Sequence, residues 1–500
     1  MNTRRDAAPD DDTVIAVDVL VAGAGAAGLA AAIAAHDAGA EVVIAEKFAT
    51  LQGNSMLSSG SVPGAGTRFQ RAAGIDDDAR RFSDDLRRQS GPHEADALVD
   101  TLARASGPLV EWLADQCGVP IVLTTHYRHV GHSVARLHAP PSRRGAELMA
   151  ALHAAVQARA IPLAFGNRVE ALRADAGGVH GAGLCTRDGR CSRVDAGAVV
   201  LATNGFAANR ALRERFCPET TDLDYAGAPG SEGEAVLWGE ALGATLANMG
   251  AYQGHGSYAS GHGLLATWTL VEFGGFIVDA DGRRFGDESV GYSDFAITAA
   301  RARAPLHVIY DADIRERTSA GQQEFAELVA LGGAREADGP EALASRIGVP
   351  AAALADTLAS TRRCAQGEAA DAFGRRAWAR PLAAPLVATR IAPALLHTQG
   401  GLAVDEHARV LHRAGGAIAG LYAAGGAAAG ISGLRGAHGY VSGNGLLAAL
   451  ALGRIAGAHA AEHARTRGGK ATGNSSADLN GATPIGPPTA ARLLPSERPS

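Results

Sequence analysis

The chain has 500 residues, 47% of them hydrophobic and 20% charged, with a formal net charge of −6. A single core stops growing at about 250 to 300 residues, so this length calls for more than one domain. The balance of charge leaves no basic footprint for nucleic acid.

At the N-terminus, Arg4-Arg5 is followed by Asp10, Asp11 and Asp12 instead of an apolar segment, so no targeting signal is expected and a cytoplasmic protein is predicted. The apolar stretch from Val14 to Ala35 is interrupted by Asp18 and by glycines. It reads as a strand and a helix, not a membrane span. Between the two lies Gly23-Ala24-Gly25-Ala26-Ala27-Gly28, a G-x-G-x-x-G turn. In such a turn the first glycine bends the chain, the second admits a pyrophosphate and the third lets helix pack on strand. The N–H groups that open the helix then face the anion. A second strand, Glu41 to Ala45, delivers Glu46, an acid placed to accept from ribose hydroxyls. Strand, turn, helix, strand and acid in this order predict a bound dinucleotide.

Further along, Gly53-Asn54-Ser55 to Ser59-Gly60 is a loop of small and hydroxyl residues suited to lining a cofactor. Helical stretches follow around Ala95–Gln116 and Gly145–Ala160. Val179–Leu184 and Arg193–Val200 flank an Asp188-Gly189 hairpin turn, and the second arm runs into Ala202-Thr203-Asn204-Gly205-Phe206. After a long middle section, Gly420–Gly425 repeats the strand-to-glycine signature, and Gly443-Asn444-Gly445 opens a helix over Leu446–His463. The tail beyond about Arg467, rich in Gly, Ser, Pro and Ala, is expected to be disordered. The five cysteines (Cys117, Cys185, Cys191, Cys217 and Cys364) are scattered, with no C-x-x-C pair. They predict a reduced compartment and no metal site.

Taken together, these motifs resemble the FAD-dependent fumarate reductase and 3-ketosteroid dehydrogenase superfamily across roughly residues 15–465. The resemblance also rests on Gly282-Arg283-Arg284-Phe285 with Asp287-Glu288, and on His397-Thr398-Gln399-Gly400-Gly401. It implies an α/β fold: a Rossmann-like, glutathione-reductase-like FAD-binding domain (14–249 and 397–466) interrupted by an α+β capping domain (250–396). The substrate would lie between cap and flavin. The implied FAD-binding set is Gly23, Gly25, Ala26, Ala27, Gly28, Glu46, Lys47, Gly53, Asn54, Ser55, Ser59, Gly60, Val169, Ala202, Thr203, Asn204, Gly205, Gly425, Asn444, Gly445, Leu446 and Leu447. Two positions depart from the family pattern, Asn204 for glycine and Gly426 for glutamate. No histidine stands near residue 55, where relatives with covalent flavin carry one, so the FAD is expected to be non-covalent.

For catalysis the resemblance divides. At the positions where soluble fumarate reductases keep a proton-donating and a carboxylate-binding arginine, this chain has Tyr292 and, near the second, Tyr440. Ketosteroid dehydrogenases place tyrosines there, with a glycine N–H, here Gly443, on the ketone oxygen. Tyr127 is a possible third member. His255 and His397 match carboxylate-binding histidines of the fumarate reductases, so the expected site is a hybrid. The expectation is an FAD-dependent desaturase of a small carbonyl compound, such as a cyclic oxo-acid, with an unspecified electron acceptor. The alternatives are an alkene reductase, a di- or tricarboxylate dehydrogenase using His255, His397 and Arg136, a flavin-binding protein without turnover, and an NAD-binding module. The segment 131–144 is either a solvated loop or brings Arg136 and His138 near cofactor or an anionic substrate.

Overall fold

The structure, a computed structural model, describes residues 14–125, 129–471 and 483–485. Strand β1 (Val14–Ala22) feeds α1 (Ala26–Asp37), and the chain returns to β2 (Val42–Glu46), which pairs parallel with β1. The last four residues of β1 and all of β2 are buried. That burial follows from their continuous apolar run, the pattern of a strand covered on both faces. After a run of helices, β3 (Leu163–Phe165) extends the sheet beyond β2. Next, β4 (Asn167–Asp175), β5 (Gly178–Thr186) and β6 (Cys191–Leu201) form an antiparallel meander whose last strand rejoins β1 in parallel. The Asp188-Gly189 hairpin lies between β5 and β6, with Gly189 at φ 85°.

The chain then leaves this sheet for a second one, built on β7 (Gly250–Ala259), β8 (Phe276–Val278), β9 (Leu306–Asp311) and β10 (Leu386–Thr398). Helix α2 (Tyr292–Arg301) packs across β7. Short strands Asp224–Tyr225 and Arg435–Gly436 join this sheet from outside the span 250–396. The second sheet has its own core of Phe276, Phe295, Tyr310 and Phe325, separate from that of the first. Strand β10 leads back to β11 (Ala417–Ala423), which pairs parallel with the C-terminal half of β6.

Finally α3 (Asn444–Ala471) lies along α1 at backbone contact. A Cβ on Gly453 would stand 2.3 Å from the Ala27 carbonyl oxygen, and one on Gly457 2.0 Å from that of Ala31. Only hydrogen fits there.

Two expectations are corrected. Cys185 and Cys191 form a disulfide across the β5–β6 hairpin. They are register partners six residues apart, so the hairpin turn makes neighbours of cysteines that looked scattered, and the argument for a reduced compartment falls. The tail beyond 467 is not wholly irregular: α3 continues to Ala471, and Thr483–Ile485 pairs antiparallel with β4. The other residues after 471 lie outside the described residues. Among the described residues no helix is long and apolar enough to cross a membrane, and no group of three or more His, Cys, Asp or Glu could hold a metal.

Candidate active site

A cavity of about 590 Å³ runs from the β1–α1 turn to the junction with the second sheet. At one end the three glycines of the turn divide their work. Gly23 has φ +104°, and a Cβ on Gly28 would lie 1.9 Å from the Gly23 carbonyl oxygen, while one on Gly25 would meet nothing within 4 Å. Gly23 and Gly28 close the turn, and Gly25 leaves it open toward the cavity. Glu46 is buried at the end of β2, where its carboxylate accepts from the Ala24 N–H at 2.8 Å and the Phe48 N–H at 2.9 Å. Lys47 Nζ lies 2.6 Å from Glu234 and 3.1 Å from Glu232.

Asn54 Nδ2, Thr203 Oγ1 and Trp238 Nε1 are buried side-chain atoms of cavity-lining residues, and none has a hydrogen-bond partner among the described residues. Buried polar groups are nearly always paired. These three therefore fit a ligand that brings its own donors and acceptors, as FAD does.

Of the expected cofactor residues, Gly28, Gly60, Gly205, Asn444 and Leu447 stand behind the cavity wall and the others line it. Asn444 is buried and donates to Ser432 Oγ at 3.0 Å, and Leu447 belongs to the core. The two departures from the family pattern explain each other. Asn204 sits at φ 68°, a left-handed conformation that asparagine tolerates. A Cβ on Gly426 would stand 2.6 Å from Asn204 Oδ1. The asparagine side chain fills space that a side chain at 426 would need.

The other end of the cavity is an aromatic floor drawn from four distant segments. Tyr292 opens α2 behind Gly291, at φ +102°, and its ring stacks on His255 of β7 at 5.0 Å. Tyr440 stands edge-on to Tyr292 at 5.9 Å and to His397, near the end of β10, at 6.0 Å. Tyr292 Oη lies 3.4 Å from Ser442 Oγ. Gly443, in the same loop, also lines the cavity.

Electrostatically, burial keeps three of the four rings, Tyr440, His255 and His397, neutral. Burial raises the Tyr440 phenol to about 12, although the Gly445 N–H at the start of α3 pulls the other way. Burial alone depresses His255 to about 3 and also lowers His397, against the pull of the Thr398 carbonyl. Their partners assign opposite tautomers. His255 Nδ1 accepts from the Ser257 N–H at 3.2 Å, so its proton is on Nε2. His397 Nδ1 lies 3.1 Å from the Thr398 carbonyl oxygen and must donate, which leaves Nε2 an acceptor. A neutral acceptor nitrogen does not bind a carboxylate.

The reading that put Arg136 and His138 near the cofactor or an anionic substrate is overturned. Arg136 is fully buried in an ion pair with Asp77 at 2.7 Å and Asp85 at 2.8 Å. His138 is turned toward Thr67 Oγ1 at 2.9 Å and the Arg136 carbonyl at 2.8 Å. Tyr127 lies outside the described residues. Conversely, Arg143, Glu272 and Ser442 line the cavity without any motif to mark them.

The model of the FAD binding domain family matches residues 18–445. The chain belongs to that family. This FAD binding domain protein is 30% identical to the NADH:fumarate oxidoreductase of Klebsiella pneumoniae strain 342, over 90% of its own length and 48% of the relative's. It thus spans about half of that relative. Among solved structures it matches the open conformation of a flavocytochrome c3 fumarate reductase, at a TM-score of 0.75 and 29% identity, over 91% of this chain and 79% of that one. The 3-ketosteroid-Δ4-(5α)-dehydrogenase of Rhodococcus jostii RHA1 matches at a TM-score of 0.69 and 26% identity, over 90% and 98%. The FAD binding domain protein is similar to both classes named in its resemblance, and FAD is its cofactor.

Proposed function

We propose that this protein is an FAD-dependent oxidoreductase of CH–CH groups that introduces a double bond α,β to a carbonyl. The observation that carries the reading is the floor: two tyrosines and two neutral histidines stand around the reaction end of the cavity, with no arginine in that ring cluster among the described residues. Phenol hydroxyls and a backbone N–H polarise a ketone, whereas protonating fumarate and holding its carboxylates calls for fixed positive charge.

Bound along the cavity, non-covalently because no histidine stands in the loop near residue 55, FAD supplies a hydride acceptor at N5. The protein's part is to make the α-hydrogen acidic. Tyr440, kept a phenol by burial, donates to the carbonyl oxygen together with the Gly443 N–H. Such preorganised donors stabilise the enolate-like charge that builds as the α-proton leaves. Tyr292, acting as its phenolate, takes that proton and becomes the phenol, with Ser442 beside it as the next hydroxyl. The α C–H pair is left on carbon, the β-hydrogen departs with its own pair, and the C=C bond forms. His255 Nε2 is a donor for a second substrate oxygen, and His397 Nε2 accepts from a hydroxyl. The substrate class is a small cyclic oxo-acid.

A reductase of activated alkenes is the second reading, favoured by the identity to the fumarate oxidoreductase. Steady-state assays with cyclic ketones plus an oxidised dye, beside fumarate plus a reduced dye, decide between them. Ketone oxidation with slow fumarate reduction is expected. Rapid fumarate reduction with no ketone oxidation overturns the proposal.

A further inference from the structure

The neutral histidines bring no positive charge to the acid end of an oxo-acid, and the wall of the cavity contributed by the second sheet's domain provides a charged seat. Glu272 ends the short helix Thr269–Glu272, its N–H donating to the Trp268 carbonyl at 3.1 Å, and its side chain lines the cavity without an ion pair among the described residues. Its main electrostatic neighbour is Arg143, which comes from the loop before the helix Gly145–Ala158 on the other side of the junction. Arg143 is steadied by Nη1 donating to Thr124 Oγ1 at 2.5 Å.

The remaining charges around Glu272 are accounted for. Arg144 is paired with Glu327, and Glu324 accepts from the Leu265 N–H at 2.9 Å. Arg375 donates to the Val271 carbonyl at 3.0 Å, and Arg317 lies over the Phe273 ring. His129 lines the same cavity.

We propose that Glu272 and Arg143 together bind the substrate's carboxylate, with Glu272 acting as a protonated hydrogen-bond donor. This rests on the oxo-acid reading above. An unpaired glutamate invites a cation, but a cation there would face Arg143. An acceptor oxygen suits both groups: it pairs with the guanidinium's charge and accepts a hydrogen bond from the acid's O–H. Burial raises the Glu272 carboxyl to about 8, so it donates at neutral pH, as a carboxylic acid in an apolar site can. Both residues are specificity determinants: they hold the carboxylate and take no part in the transfers at the reacting carbons.

The test is ligand binding to the FAD-loaded protein, read by perturbation of the flavin absorbance, with 4-oxocyclohexanecarboxylate and its methyl ester as probes. At about pH 7 the acid should bind at least about tenfold more tightly than the ester, the scale of one charge-assisted hydrogen bond. In wild type this preference should shrink between about pH 7 and about pH 9, as Glu272 loses its proton with a pKa of about 8. Glu272→Gln, a permanent donor, should keep the preference across that range. Glu272→Leu and Arg143→Met should lose it while binding the ester normally. Equal binding of acid and ester in wild type overturns the proposal. So does a preference that survives both Glu272→Leu and Arg143→Met, or one that grows with pH. Preferential binding of the acid without its oxidation supports the seat for the carboxylate and takes down the desaturation reading alone.

Discussion

The two ends of the cavity are built on opposite plans. The nucleotide end is backbone: a glycine turn, the start of α1, and one carboxylate tied to N–H groups at 2.8 and 2.9 Å. The reaction end is side chain: four rings from β7, α2, β10 and the loop before α3. A backbone site depends mainly on local spacing, with a few side chains such as Glu46 fixing it. A site of converging rings depends on the whole fold, and a single exchanged ring changes its chemistry. Holding the cofactor and choosing the reaction are therefore separable.

The sharpest way to break this division is at Arg136, which belongs to neither end. Arg136→Met leaves Asp77 as a buried charge without its cation and Asp85 with Arg88 alone, and should cost about 3–5 kcal/mol of stability. Ligand affinity of the surviving folded protein should not change. A folded, stable variant with weakened ligand binding would return Arg136 to the active site.

Next come the tyrosines. Tyr440→Phe should lower kcat by the loss of one transition-state donor, about 3 kcal/mol, and Tyr292→Phe by about 10², the scale of a lost acid–base group. Flavin content should be normal in both. Flavin loss would show that floor and cradle are not separable, and undiminished flavin reduction by substrate would remove the residue from the mechanism.

Smaller effects are expected at the turn. Gly28→Ala places a Cβ 1.9 Å from the Gly23 carbonyl oxygen and should destabilise the protein even without flavin, by about 1–3 kcal/mol. Gly25→Ala meets nothing within 4 Å. It should leave the melting temperature of the flavin-free protein unchanged and weaken FAD binding. Equal melting losses in both variants would contradict the division of labour between the two glycines.

The smallest effect is in pH. His255 is depressed to about 3 and His397 is also lowered, so the unfolded chain binds protons before the folded one does. Their contribution is complete above the unfolded value of about 6.5 and is lost as pH falls below it. The melting temperature should decline from about pH 6.5 toward pH 4, and less steeply in His255→Gln. An identical decline in wild type and variant would show that His255 does not titrate this way.

The nucleotide end was legible in the sequence because its parts are close together: Gly23, Gly25, Gly28 and Glu46 fall within two strands and a helix. The tyrosine positions could be placed only by counting from distant motifs. What was misread depended on contacts at long separation. The acidic partners of Arg136 lie 51 and 59 residues earlier, so in the sequence it stands as an uncompensated charge. Glu272 carries no motif of its own, and only the fold of the second sheet's domain turns it into the cavity. The Cys185–Cys191 bridge was missed for a simpler reason: counting cysteines ignored the hairpin already recognised between them.

The contact between α1 and α3 also bears on assembly. Helix α1 begins at the pyrophosphate turn and α3 begins beside Tyr440, and they are pressed together at Gly453 and Gly457, where only hydrogen fits. One helix leaves the ribosome long before the other. Until α3 emerges and docks, the reaction end has no roof and the nascent turn has no brace. Tight capture of flavin thus becomes a signal that synthesis of the enzyme's core has been completed.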